Sequence, residues 1–490
     1  MYYLLKLFPE ITIKSRSVRR HMTRCLTANV RNTLKPLDKR IGVREGWDLL
    51  QVALPEGAEV ALADEVEARL VRIPGVQEVQ EVREVDFSTL EEVGQRVVPH
   101  WRERVDGHRF RVSAKRRGRH AFTSADMERH LGTALLAAAP EARVDLTRPE
   151  VDVAVEVVDN RLRLIDRRLP GLGGYPLGLQ GQAMALISGG YDSPVAAWRM
   201  IRRGIKTHFL FFNLGGPEHE RGVREVTHHL WRRYSLSHRV NFISVPFEPV
   251  VGEILRRVPD GLMGVVLKRM MVRAASRIAR RARVPALVTG DAIAQVSSQT
   301  LTNLSLIDDA SDLPLLRPLL TEDKQAIIAL AREIDTARFA ETLPEYCGVI
   351  SRRPNTRARR DQVAAAEAEF DFAVLDAAIE AAEVTRVDRL AEPEAAPRPD
   401  AALAEASAGE DVSVIDIRPP AEREAAPLQL TAGRCLEIPF YELQQRAPEL
   451  PDDRRYFLYC DQGVMSRMQA LHLHDRGLTH FGVYQASTRR

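Results

Sequence analysis

Hydrophobic and polar positions follow several distinct rhythms along the chain. Tyr2–Phe8 is apolar apart from Lys6 and reads as a strand. Val18, Met22, Leu26 and Val30 then recur at helical spacing, predicting a basic amphipathic helix. WDLLQVAL (47–54) reads as another strand, so residues 1–60 predict a small α+β module. Between 61 and 165 the pattern resets: an amphipathic helix (61–73), a strand (76–87), and a period-2 strand (108–120) ending in a basic cluster. SADMERHLGTALLAAA predicts a helix with Ser124 as its N-cap, and residues 151–166 a hairpin turning at Asp159–Asn160.

GLGGYPLG (171–178) is a glycine-rich joint and a natural boundary. From 175 to 385 apolar strands alternate with amphipathic helices, the pattern of a doubly wound parallel sheet. Residues 391–410 hold 8 Ala, 3 Pro and 4 Glu, which predicts a flexible linker. Residues 411–490 carry strands and a helix for one more small α/β domain.

The length of 490 residues suits three or four domains, at roughly 100–200 residues each. Hydrophobic residues at 45% and charged residues at 28% exclude general disorder, collagen and a simple coiled coil. No run of about 18 uncharged apolar residues marks a transmembrane helix. The N-terminus lacks the pattern of a secretory signal, so the expected address is cytoplasmic, with no membrane partner. The net charge of +3 hides local imbalance. Residues 1–50 hold 11 Lys/Arg against 4 Asp/Glu, residues 51–100 hold 4 against 11, and residues 101–150 hold 11 against 7. Localised basic clusters suit either ordinary solvation or an anionic polymer.

The sharpest chemical signal is Ser188-Gly189-Gly190-Tyr191-Asp192-Ser193, directly after the strand Ala183–Ile187 and before a helix opened by Pro194. Two glycines admit an anion close to the backbone, and a helix N-terminus offers unpaired N–H groups to phosphate. Asp192 suits a Mg²⁺ that bridges phosphate oxygens. No Lys-Ser/Thr follows, so γ-phosphate transfer of the Walker type is disfavoured.

Four cysteines, none at C-x-x-C spacing, exclude both a disulfide framework and a sequence-local metal site. Cys25 and Cys435 read as filler. Cys460 lies between the strand Tyr456–Tyr459 and a helix, where N–H groups and the helix dipole favour a thiolate or persulfide anion. Cys347, in a loop punctuated by Pro344 and Pro354, reads either as filler or as a thiol that resolves a persulfide.

SGGYDS resembles the PP-loop of the ATP pyrophosphatase superfamily, in which ATP is cleaved between its α and β phosphates and an adenylated oxygen is displaced. VIDIRPPAERE and the Cys460 loop resemble rhodanese domains, and KRRGRHAFTS (115–124) resembles the RNA-binding THUMP segment. With GDAIAQVSSQTLTNL (290–304) and LPEYCGVIS (343–351), the whole chain resembles the tRNA 4-thiouridine synthase family, ThiI. The resemblance implies a multidomain α/β fold: a ferredoxin-like α+β module (1–60), a THUMP domain (61–165), a PP-loop doubly wound parallel sheet (175–385) and a rhodanese-like α/β domain (411–490).

It also implies roles. Leu186 and Ile187 would contact ATP, and Ser188, Gly189, Gly190, Asp192 and Ser193 its phosphates. Lys268, opening a helix, and Lys324 would face the phosphates; Gly290 and Gln299 would line the adenine side. O4 of uridine 8 in tRNA would be adenylated, with Asp192 and Mg²⁺ stabilising the pyrophosphate. A Cys460 persulfide would supply sulfur, directly or as released sulfide, leaving a Cys347–Cys460 disulfide for a reductant to reset. Lys14, Arg16, Arg19 and Arg20, with Lys115, Arg116, Arg117 and Arg119, would contact tRNA phosphates. A cysteine desulfurase is the implied sulfur donor, a ThiS-like carrier a second acceptor, and a homodimer is allowed. The rhodanese-like tail disfavours a lysidine-forming enzyme, which needs no sulfur, and the missing C-x-x-C pairs disfavour a metal-cluster thiolase.

Overall fold

The computed structural model describes residues 2–46, 49–214, 216–341, 351, 353–390, 404–407, 411–418, 420–430, 432–460 and 464–485. These form two compact units: one runs to residue 179 and takes in 202–204, the other holds 180–201 and everything from 205 onward.

In the first unit eight strands make one sheet: β1 (Tyr2–Leu7), β2 (Gly42–Glu45), β3 (Leu49–Ala53), β4 (Val76–Asp86), β5 (Arg109–Arg117), β6 (Arg143–Val144), β7 (Val151–Val158) and β8 (Arg161–Pro170). Their order is β2-β3-β1-β4-β8-β7-β5-β6. Two helix-covered apolar cores lie against it, and Tyr2, Leu4, Val82, Ala154 and Ile165 form a smaller cluster apart from them. Met22, Leu26 and Val30 of the helix Arg16–Leu34 and Val66 and Leu70 of the helix Val60–Leu70 pack with Tyr3, Leu5 and Val79. Val93, Val97 and Trp101 of the helix Leu90–Val105 and Met127, Leu131 and Leu135 of the helix Ser124–Ala138 pack with Phe110, Val153 and Val155.

Three local expectations change. The division at 60/61 falls at the start of a helix that belongs to the first core, and β4 runs through both modules, so the first module extends past 60 and the sheet has no break. Val18 is exposed, because the first turn of its helix lies outside the packed face that begins at Met22. The N-cap of the helix Ser124–Ala138 is Thr123: its hydroxyl accepts from Asp126 N at 3.1 Å, while Asp126 accepts from Thr123 N at 2.8 Å. Ser124, already helical, cannot serve as the cap.

The second unit opens with β9 (Gln182–Leu186), β10 (Lys206–Asn213), β11 (Asn241–Pro246), β12 (Leu287–Val288), β13 (Leu315–Leu316) and β14 (Glu383–Arg386). Their order is β13-β12-β9-β10-β11-β14, parallel except for β14, which closes the edge antiparallel to β11. The chain moves from β9 outward through β10 and β11, then returns to place β12 on the other side of β9. The carboxyl end of β9 is therefore the switch point at which open α/β sheets bind ligands.

A smaller parallel sheet follows: β15 (Glu405–Ser407), β16 (Ser413–Asp416), β17 (Arg434–Glu437), β18 (Tyr456–Tyr459) and β19 (Phe481–Gln485), in the order β15-β19-β18-β16-β17. Within the segment expected to be linker, residues 391–403 and 408–410 lie outside the described residues, but Glu405–Ser407 pairs with β19 and buries Ala406. A composition rich in alanine does not exclude strand pairing where a sheet edge stands open. Ile415, Ile417, Ile438, Phe440, Leu443 and Leu473 of this domain share one apolar core with Phe247, Val251 and Ile254 beside β11. Among the described residues no helix is long and apolar enough to cross a membrane.

Candidate active site

SGGYDS sits at that switch point. Ile187 N–H still donates to Leu210 O at 2.8 Å, carrying the strand one residue past Leu186; Leu186 is half-buried and Ile187 buried. The chain then turns, and the helix Asp192–Arg202 begins. Ser193 Oγ accepts from Ser188 N at 2.8 Å and lies 2.9 Å from Ser188 Oγ, closing the loop on itself. Gly189 and Gly190 are buried and bring no side chain to the turn. Lys324, the first residue of the helix Lys324–Glu333, donates to Asp192 Oδ1 at 2.9 Å and stands 5.5 Å from the Tyr191 ring centroid. Asp323 caps that helix, accepting from Ala326 N at 2.8 Å, so Lys324 is held by a fixed helix end.

Gly290 abuts the loop from β12's side. A Cβ there would stand 2.9 Å from both Asp192 C and Ser193 N. The next residue, Asp291, which sequence reasoning left unassigned, gathers the other expected groups. Lys268 Nζ donates to its Oδ1 at 2.5 Å and Gln299 Nε2 at 3.2 Å; Thr289 Oγ1 and Arg317 Nε reach its Oδ2 at 2.7 and 3.3 Å. Burial opposes ionisation of Asp291, but the Lys268 ammonium and the hydrogen bonds of Lys268 and Thr289 outweigh it, holding the carboxyl well below the usual carboxylate range. Because that carboxylate only accepts, the Gln299 amide turns its nitrogen inward, and Gln299 Oε1 is buried without a protein partner. Lys268 does not open its helix: Met263–Arg281 starts a turn earlier, after the tight turn Asp260–Leu262, and Lys268 lies within it. Asp291 lies three residues past the end of β12, and no local pattern in the sequence marks it.

At the carboxyl end of β18, Cys460 is half-buried. Ser466 N–H donates to its Sγ at 3.3 Å, and Ser466 Oγ lies 3.5 Å away, both from the helix Val464–Asp475. Arg418 is buried on Asp416, with Nη2 2.6 Å from Oδ2, and its guanidinium stands 4.9 Å from the Tyr459 ring centroid. Cys347 lies outside the described residues. Cys25 is half-buried, with Sγ 3.5 Å from Leu177 O. Cys435 is not buried filler: β17 is the sheet's edge strand and leaves it exposed.

The model of the thiamine biosynthesis protein ThiI matches residues 178–372, and that of the THUMP domain residues 84–165. A tRNA sulfurtransferase from Edwardsiella ictaluri (strain 93-146) is 48% identical over 485 residues, covering 99% of this chain and all of the relative. One from Klebsiella pneumoniae (strain 342) is 46% identical over 490 residues, with 99% of this chain and 100% of that one covered. This chain belongs to the tRNA sulfurtransferase family. A crystal structure of a 4-thiouridine synthetase–RNA complex with bound ATP matches with a TM-score of 0.70 and 26% identity, over 79% of this chain and 99% of that one.

Within this sulfurtransferase the THUMP match spans one basic cluster. Lys115, Arg117 and Arg119 are exposed at the end of β5, while Arg116 is half-buried and donates to Gly118 O at 3.3 Å. Arg117 lies 3.7 Å from Glu156. The other cluster lies at the start of the helix Arg16–Leu34, with Lys14, Arg16 and Arg20 exposed and Arg19 half-buried.

Proposed function

We propose that this protein uses ATP to replace the O4 oxygen of uridine 8 in tRNA with sulfur. The reading rests chiefly on one observation: Asp192, Lys324 and the SGGYDS backbone meet at the switch point of β9. Family membership, and the relative solved with RNA and ATP, support it further.

O4 attacks the α-phosphorus, the α–β bond breaks, and the uracil N3 proton is lost, so a poor leaving oxygen becomes AMP. The loop amides and Ser193 would receive phosphate oxygens, while Lys268 and Lys324 would offset the charge gathering on them. Leu186 and Ile187 would contact the nucleotide, with Gly290 and Gln299 completing its pocket. Among the described residues no three metal-ligating side chains cluster. Mg²⁺ takes one or two carboxylates and leaves its other positions to phosphate and water. Asp192 would hold the ion, and its charge would ease departure of pyrophosphate.

Sulfur would come from a Cys460 persulfide, charged by a cysteine desulfurase. The terminal sulfur attacks C4 and AMP leaves; Cys347 thiolate then attacks Cys460 Sγ, freeing 4-thiouridine and leaving a Cys347–Cys460 disulfide. Prior release of the sulfur as sulfide gives the same balance, and either route needs a two-electron reductant for the next turnover. The basic clusters at Lys14–Arg20 and Lys115–Arg119 would hold the tRNA backbone and fix its register. The match to a thiamine biosynthesis protein favours a second acceptor, a ThiS-like carrier charged from the same Cys460 persulfide. A tRNA substrate implies a cytoplasmic site of action.

Nucleosides from tRNA incubated with enzyme, ATP and a persulfide source, analysed by mass spectrometry, test this. 4-Thiouridine is expected with the native chain and absent with Asp192→Ala or Cys460→Ser. Normal product from Asp192→Ala would refute the activation step, and normal product from Cys460→Ser the carrier.

A further inference from the structure

We propose that Asp291 is a positioning residue for the nucleotide step, its carboxylate fixing the Lys268 ammonium beside the SGGYDS turn; this rests on the reading that Lys268 faces the phosphates of bound ATP. Asp291 follows Gly290, which packs against the Asp192–Ser193 peptide, so the carboxylate stands one residue from contact with that turn. Lys268 comes from inside the helix Met263–Arg281, Gln299 from the turn Ser297–Gln299, and Arg317 directly follows β13. One buried carboxylate thus collects side chains from separate parts of the fold.

The division between its two oxygens shows how it does so. Thr289 Oγ1 at 2.7 Å and Arg317 Nε at 3.3 Å hold Oδ2, while Lys268 Nζ at 2.5 Å and Gln299 Nε2 at 3.2 Å donate to Oδ1. An ionised carboxylate offers about four lone-pair directions, so the group is fully committed and held against rotation. Arg317 is also held by Asp308, with Nη2 2.6 Å from Oδ1, and does not depend on Asp291 for a counter-charge. Lys268 does not depend on it either. Its side chain keeps 21% of its surface exposed, and a lysine can carry its head in water at the end of an apolar stem. Drawing that flexible side chain onto a buried carboxylate removes rotamer freedom, and the return is a fixed place for the charge. An ammonium has three N–H donors; Asp291 takes one and leaves two for phosphate oxygens.

ATP would then meet a cation already in place, with no affinity lost to ordering it. Charge and position make opposite forecasts. A carboxylate near phosphates repels them, so if Asp291 acted by its charge alone, neutralising it would tighten ATP binding. Acting through Lys268, its neutralisation weakens ATP binding, and does so only while Lys268 is present.

The test is equilibrium titration of the full chain with ATP and with adenosine, without tRNA. Asparagine at 291 keeps an acceptor for Gln299 but offers Lys268 no charge. Asp291→Asn is expected to bind ATP about tenfold more weakly and adenosine as the native chain does, since adenosine has no phosphate for Lys268 to meet. Lys268→Met is expected to weaken ATP binding at least as much, and Asp291→Asn added to it to change nothing further. Native or tighter ATP binding by Asp291→Asn would overturn the proposal. So would an equal loss of ATP and adenosine, or a further loss in the double variant, because either marks a structural role. Thr289→Val keeps the side-chain shape but releases Oδ2, and should weaken ATP about threefold with adenosine unchanged. Where Asp291→Asn does not fold, native ATP binding by Thr289→Val overturns the proposal. If Lys268→Met binds ATP as the native chain does, the reading of Lys268 fails first; if Lys268→Met is weak and Asp291→Asn native, only the positioning role fails.

Discussion

Gly290→Ala offers the most direct test of the proposed nucleotide site, because it adds one methyl at a point where the fold leaves no room. The new Cβ would stand 2.9 Å from Asp192 C and 2.9 Å from Ser193 N, and ordinary contact begins near 3.4 Å. Both neighbours are backbone atoms, so no rotamer change relieves the clash. Gly290 and the loop must part by about 0.5 Å, which carries Ser188–Ser193 away from Asp291, Lys268 and Gln299. Overpacking of this kind costs about 1–3 kcal/mol. A displacement near 1 Å lowers reaction rates about a hundredfold, so half of it predicts about a tenfold loss. The assay is tRNA-dependent ATP–pyrophosphate exchange at saturating ATP, with Gly264→Ala as control. Gly264 lies in the helix Met263–Arg281, and a Cβ there meets nothing within 4 Å. The control should exchange at the native rate and gain slightly in stability. Native exchange by Gly290→Ala would show that the loop tolerates retreat, and the role given to its close packing would be wrong.

Three further outcomes follow from other parts of the fold. Replacing Lys115, Arg116 and Arg117 by alanine should weaken tRNA binding and reduce its log–log salt slope by about 2–3, with ATP affinity unchanged in equilibrium titrations; an equal loss of both would mark the cluster as structural. Asp291→Asn should cost about 1.5–3 kcal/mol at neutral pH by removing the carboxylate that Lys268 and Arg317 share, while Asp308 still holds Arg317 at 2.6 Å. Since the folded-state carboxyl is held below its ordinary 3.8, that contribution is full above about pH 4 and fades as pH falls further, so urea midpoints of native and variant should converge in acid; a constant gap would refute the assignment. Burial pushes the Glu248 carboxyl up, against the hydrogen bond it accepts from Gln469 Nε2 at 2.8 Å. A raised folded-state value means a penalty that appears as pH rises through the ordinary carboxyl range. Glu248→Gln keeps an acceptor for Gln469 and should raise Tm at pH 7 but not at pH 4, a result that calorimetry would contradict by showing no difference between the two.

The parts legible from sequence were those whose signal is local. SGGYDS, the apolar strand before it and the helix after it lie within a few residues, and their order alone points to a phosphate turn. The strand Tyr456–Tyr459 before Cys460 and the helix Val464–Asp475 after it were legible for the same reason. Asp291 was not, because its meaning comes from Lys268, Gln299 and Arg317, which only the fold brings to one carboxylate. Continuity of the first sheet was equally hidden: β4 pairs with β1 on one side and β8 on the other, and no periodicity within β4 announces either partner. Glu405–Ser407 reads as tether until β19, 78 residues later in register, supplies its partner.

The unbroken first sheet has a metrical consequence. Four strand spacings separate β1 from β5, a span of about 19 Å set by hydrogen-bond geometry and hard to stretch. The chain after β1 carries one cationic cluster, and the end of β5 carries the other. Both clusters hang from this one continuous sheet, so a polymer held by both would meet them as parts of a single platform and not as two independently placed patches.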